Sequence, residues 1–136
     1  MKNFDNEKQK CSVYAPISVG ELFDKKSILE IKLSKFSGEK LKNIRKELNL
    51  LNEIIEKNKI IVDLELFNKL KNINLLLWGI EDEIRFKEEL KKFDEEFIKL
   101  ARSVYFENDK RALVKREINI KSNSTIIEEK SYRDYS

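Results

Sequence analysis

The feature that most restricts this chain is a stripe of aliphatic residues spaced for a helix. Leu66, Leu70, Ile73, Leu77, Ile80 and Ile84 follow one another at steps of three and four positions. An α-helix puts such a series on one side, whereas a strand scatters it over both faces. Leu41, Ile44, Leu48, Leu51 and Ile55 repeat the pattern upstream. Little in the chain opposes helix, since 136 residues contain one proline and three glycines. The expected fold is therefore all-α: an antiparallel helical bundle of about four helices with coiled-coil-like long helices, and short extended segments at the two ends. At this length one domain is expected, a helical bundle over residues 12–122, with a flexible arm at 1–11 and a C-terminal tail at 123–136.

Polar punctuation places the boundaries. Ser18 with Glu21 three positions on reads as a capping box opening the first helix. Leu22, Leu29, Leu33 and Phe36 share one face of it, Ile28 and Ile31 lie nearly opposite, and Ser37-Gly38 is expected to end it. The second helix loses register around Lys57-Asn58-Lys59, and Asp63 is placed to cap a third. That third helix would be about 45 Å long, which favours dimerisation along the long helices. Asp94 is placed to cap a fourth helix, expected to bend or restart at Asn108-Asp109 and to run to about Lys121, with Asn123 left-handed at its end. Two seams joined by a short loop predict that the second and third helices form a hairpin on which the others pack. Thr125-Ile126-Ile127 reads as a short strand or simply as tail.

What is missing confines the chemistry. The chain has no histidine and one cysteine, Cys11. That excludes an imidazole base, a structural zinc site and an internal disulfide, so no metal site is expected and no cofactor is implied. Glu53-x-x-Glu56 is not followed by the second acidic pair that an all-helical pyrophosphohydrolase uses to hold magnesium, and Glu21-x-x-Asp24 stands in the wrong order. The 28 basic and 25 acidic residues are interspersed, which is no nucleic-acid footprint. No apolar run approaches the length of a membrane span, and no apolar stretch follows the N-terminal lysines as it would in a signal peptide. A reducing cytoplasm is the expected location.

Candidate site residues interrupt apolar stripes. Phe97, Ala101 and Val104 continue at helical spacing into Asn108, Arg111, Lys115 and Asn119. An inward face that turns cationic and amide-bearing is what an anion pocket between helices requires. If instead the helix breaks at Asn108, the same residues face solvent. Glu21, Asp24 and Lys25 surround Gly20 at the start of the first helix, where free amides attract anions but a capping glutamate competes for them. Asp24 and Lys25 are also placed to pair with Arg111 or Lys115 across the bundle. Glu81 and Arg85 flank Asp82 one turn beyond Trp78, which itself reads as core.

Several of these strings resemble a small bacterial and phage family whose function is not established. Ser18-Val19-Gly20-Glu21-Leu22 with Asp24-Lys25, Leu77-Trp78 with Ile80-Glu81-Asp82, and Asn108-Asp109 with Arg111-Ala112 and Lys115-Arg116 carry the likeness, which extends over residues 13–135. Two positions depart from the family's pattern: Lys26 where it is apolar, and Asn123 where it is glycine. The resemblance implies no catalytic role. The first functional expectation is thus a protein-interaction module, a homodimer or one that meets another protein. The alternative is a binder or enzyme for an anionic metabolite, a nucleotide or sugar phosphate, held by Arg111, Lys115 and Asn108.

Overall fold

The computed structural model describes residues 9–131 and 133–135, so most of the arm expected at 1–11 lies outside the described residues. Four helices follow in order: α1 (Val19–Leu33), α2 (Gly38–Lys57), α3 (Leu64–Glu89) and α4 (Glu95–Lys121). No strand occurs among the described residues, and Thr125-Ile126-Ile127 belongs to an irregular tail. None of these helices is long and apolar enough to cross a membrane.

The three expected N-cap side chains take up their positions, although the box at Ser18 is one-sided, the Glu21 carboxylate accepting from Lys115 instead. Ser18 accepts from the Glu21 amide, Asp63 from the Leu66 amide and Asp94 from the Phe97 amide, each within 3.1 Å. Such caps satisfy helix-start donors that would otherwise be orphaned. Asn123 takes the expected left-handed conformation, and Lys59 and Lys91 do the same after α2 and α3, all at φ 53°. In each case the next residue's amide returns to a carbonyl of the last helical turn: Ile60 to Ile55, Lys92 to Lys87 and Ser124 to Asn119.

One boundary differs from expectation. α1 ends at Leu33, where the hydroxyl of Ser34 donates to the Ile31 carbonyl at 2.8 Å. Ser37-Gly38 opens α2 instead of closing α1, with Gly38 at φ +64°, a conformation that favours glycine. The early stop lets Phe36 fold back and meet Trp78 edge to face, with ring centres 6.1 Å apart.

The pairing of helices differs as well. α3 and α4 form the long hairpin, α1 lies against all three other helices, and α2 packs on α1 alone. The seams of α2 and α3 do not pair along their length, and only Ile55 at the end of the α2 seam packs against the cluster that α3 helps to form. Ile44 and Leu48 close on Leu29 of α1, while Leu66, Phe67, Leu70, Ile73 and Leu77 close on Phe23, Val114 and Ile118. Leu70, with 0% exposure, sits at the centre of this larger cluster. Full burial of such a side chain contributes about 2 kcal/mol.

α1 spans 15 residues, so it covers only one end of α3 and α4, which have 26 and 27. Each of the two long helices rises about 40 Å. The base of their hairpin is thus a packed bundle, and the distal half projects beyond it. α4 neither bends nor restarts at Asn108 but runs unbroken through Lys121. Its continuity keeps Asn108, Arg111, Lys115 and Asn119 on the side where Val114 and Ile118 are buried.

Candidate functional site

α1 and α4 approach so closely that a Cβ on Gly20 would stand 2.5 Å from the backbone oxygen of Lys115. The glycine therefore admits α4, not a ligand. The first donors of α1 are all engaged: the Val19 amide on Ser124 Oγ at 3.1 Å, the Gly20 amide on Asn119 Oδ1 at 2.6 Å, and the Glu21 amide on Ser18 Oγ at 3.0 Å. No amide remains there for an anion, and Asn119 is occupied as a cap.

One turn further along α1, Asp24 is buried at 1% exposure. Arg111 grips its carboxylate, Nε donating to Oδ1 at 3.0 Å and Nη2 to Oδ2. Asn74 of α3 donates to the same Oδ1 at 2.8 Å and to Ser27 Oγ at 2.7 Å, and the Ser27 hydroxyl donates to the Asp24 carbonyl at 2.7 Å. Lys115 Nζ lies 3.6 Å from Asp24 Oδ2 and donates to Glu21 Oε2 at 2.5 Å. From the tail, Glu128 comes within 3.9 Å of Lys115 and accepts from the buried Ser18 hydroxyl at 3.4 Å.

Burial by itself would raise the Asp24 pKa. The hydrogen bonds from Arg111 and Asn74, with the charges of Arg111 and Lys115, outweigh it and hold the carboxyl below its ordinary value. The Asp24 carboxylate in turn raises Arg111. Asp24 is thus a permanent anion at neutral pH, and it fixes the guanidinium in one orientation.

Arg111 joins two groups among the sequence candidates. Glu21, Asp24, Lys115 and Asn119 gather with it at the α1–α4 contact, and Lys25 stands at the edge, 3.9 Å from Glu21. Asp24 therefore makes the cross-bundle pairing, whereas Lys25 turns to its own helix. Asn108, Glu81 and Arg85 lie on Arg111's other side, where a cleft of about 490 Å³ opens between α1, α3 and α4. Glu81 and Arg85 approach to 3.8 Å, and Trp78 forms part of the wall instead of lying in the core. Asn74, Ser27, Ser124 and Glu128 were not among those candidates. Asn74 did leave a trace, a polar residue in the stripe Phe67, Asn74, Trp78; Ser124 and Glu128 act through the course of the tail. Among the described residues, no cluster of three or more acidic or cysteine side chains is arranged to hold a metal ion.

These features define a four-helix protein in which a short central helix is tied to a long hairpin through a buried carboxylate–guanidinium pair. The chain belongs to a family of unknown function, DUF6165, whose model matches residues 13–135. No curated protein and no solved structure matches it.

Proposed function

We propose that the protein is an interaction module that assembles through the distal half of the α3–α4 hairpin, with a second copy of the chain as its partner. One observation carries this reading. From residue 81 to residue 113 no side chain is buried, although Phe86, Leu90, Phe93, Ile98, Tyr105 and Phe106 lie there at 38% to 60% exposure. Two helices side by side cover only the seam between them, here Ile84, Phe97, Leu100 and Val104. Tyr135 of the tail meets Tyr105 and Phe106, with ring centres 5.4 and 5.2 Å away. Phe86, Leu90, Phe93 and Ile98 stay exposed, and large apolar side chains gathered on a surface mark interaction sites.

A like arm suits the charge pattern. Glu83, Glu88 and Glu89 alternate with Arg85, Lys87 and Lys91, so no field of one sign opposes a second copy. Two arms laid together would complete a four-helix arrangement about a two-fold axis. The arm is held in shape at its tip, where Lys87 Nζ donates to Asp94 at 2.9 Å and to Glu96 at 3.1 Å across the turn. The exposed free thiol of Cys11 fits the reducing cytoplasm.

Light scattering on the wild type and on Phe86→Ser/Ile98→Ser tests the reading. The wild type is expected to pass from monomer to dimer between micromolar and submillimolar concentration, and the variant to stay monomeric with unchanged helicity. A wild type that remains monomeric throughout that range overturns the reading, as does a dimer insensitive to both substitutions.

A further inference from the structure

The cleft beside Arg111 has the size of a small-molecule site and a wall chemistry that narrows what could enter it. Asp24 engages Nε and Nη2 of Arg111, while Nη1 reaches only Asn108 Oδ1, at 3.5 Å. The guanidinium is thus anchored from behind, with one edge turned to the cleft. A buried carboxylate and guanidinium are costly to desolvate, and apolar residues of like volume often serve stability as well. Fixing one cation at a cleft wall is a use that apolar residues could not supply.

Across the cleft α3 contributes Arg85, but also Glu81 and Asp82. The two arginines are balanced by these two acids, and Asp24 adds a further negative charge behind Arg111. A phosphate dianion would meet as much repulsion as attraction here. Ile28 and Ile31 of α1 and the indole of Trp78 supply an apolar wall, and the Trp78 ring is braced by Phe36. Both charge signs beside an apolar wall match a small molecule that carries all three features.

We propose that this cleft binds a zwitterion, a free aliphatic amino acid, with its carboxylate on Arg111 and Arg85, its ammonium on Glu81 and Asp82, and its side chain against Ile28, Ile31 and Trp78. The site borders the arm and shares Arg85 with it, so its test is run at concentrations where the chain is monomeric.

Trp78 is the chain's single tryptophan, so intrinsic fluorescence reads the cleft directly. Titration with L-leucine is expected to give a saturable change with a Kd of about 1 mM or tighter. Isoamylamine, which lacks the carboxylate, 4-methylvalerate, which lacks the ammonium, and inorganic phosphate should each bind at least about tenfold more weakly, for loss of a charge-assisted contact. Arg111→Lys retains a cation for Asp24 but removes the fork, and should weaken leucine by about tenfold or more with the fold intact. Arg85→Ala, at an exposed position, should weaken it without any effect on folding. Glu81→Gln should weaken leucine and strengthen 4-methylvalerate. The proposal is overturned by the absence of a saturable response to leucine, by phosphate or 4-methylvalerate binding the wild type as tightly, or by leucine affinity unchanged in both Arg111→Lys and Arg85→Ala.

Discussion

The two halves of the α3–α4 hairpin are built from similar residues and end in opposite states. At the base, α1 wedges against both helices, and aliphatic side chains, a glycine and a charged pair all go out of water. In the distal half α1 does not reach, the tail brings only Tyr135 against Tyr105 and Phe106, and Phe86, Leu90, Phe93 and Ile98 stay about half exposed. The difference lies in the company each helix keeps, not in its own sequence. An amphipathic helix specifies which face seeks cover, while the reach of neighbouring elements decides whether it is covered within the chain.

The contrast can be broken most forcefully at its buried end. Leu70→Ala should lower unfolding free energy by about 3 kcal/mol, because the fully enclosed site cannot collapse onto the lost methyls. Arg111→Ala should cost about 3 kcal/mol in chemical denaturation by leaving Asp24 buried with reduced compensation. Gly20→Ala should destabilise by about 2 kcal/mol, since the new methyl meets backbone and not a movable side chain. Equivalent truncations in the arm, such as Phe93→Ala, should change monomer stability by less than about 0.5 kcal/mol. A loss in the arm as large as one at Leu70, measured on dilute protein, would erase the distinction.

Proton linkage sharpens the same comparison. The folded-state pKa of Asp24 lies below the unfolded carboxylate value of about 3.9. Its contribution is therefore fully present above that value and is lost as pH falls through the folded pKa. Asp24→Asn should flatten the acid limb of the stability curve below about pH 4, and an unchanged slope there would contradict the assignment. A small effect of the opposite sign is expected at Gly79, which has nothing within 4 Å of where a Cβ would stand. Gly79→Ala should stabilise the monomer by about 0.5 to 1 kcal/mol through helix propensity alone.

How much of this was legible in the sequence follows from the same physics. Ser18, Asp63 and Asp94 announced their helices because a cap is a local event involving residues three apart. The line Asn108, Arg111, Lys115 and Asn119 was visible as polar residues replacing an apolar stripe, and Asp24 was visible as a partner across the bundle. The pairing of α3 with α4 instead of α2 was hidden, because periodicity reveals an apolar face without its destination. The stop of α1 at Leu33 was hidden too, since Phe36 continues the apolar face at helical spacing and its contact with Trp78, a distant residue, has no local signature. Ser124 and Glu128 had no signature of their own; they matter because the tail turns back at Asn123 and passes the start of α1.

Amide hydrogen exchange at several protein concentrations tests the contrast most directly. Amides at the base, around Leu70, Asp24 and Val114, should exchange slowly at every concentration. Those from Phe86 to Phe106 should exchange quickly in dilute protein and slow progressively as concentration rises, because a second copy supplies the cover that α1 gives the base. Distal exchange rates independent of concentration, or as slow as the base at high dilution, would contradict the proposal that the arm is an assembly surface.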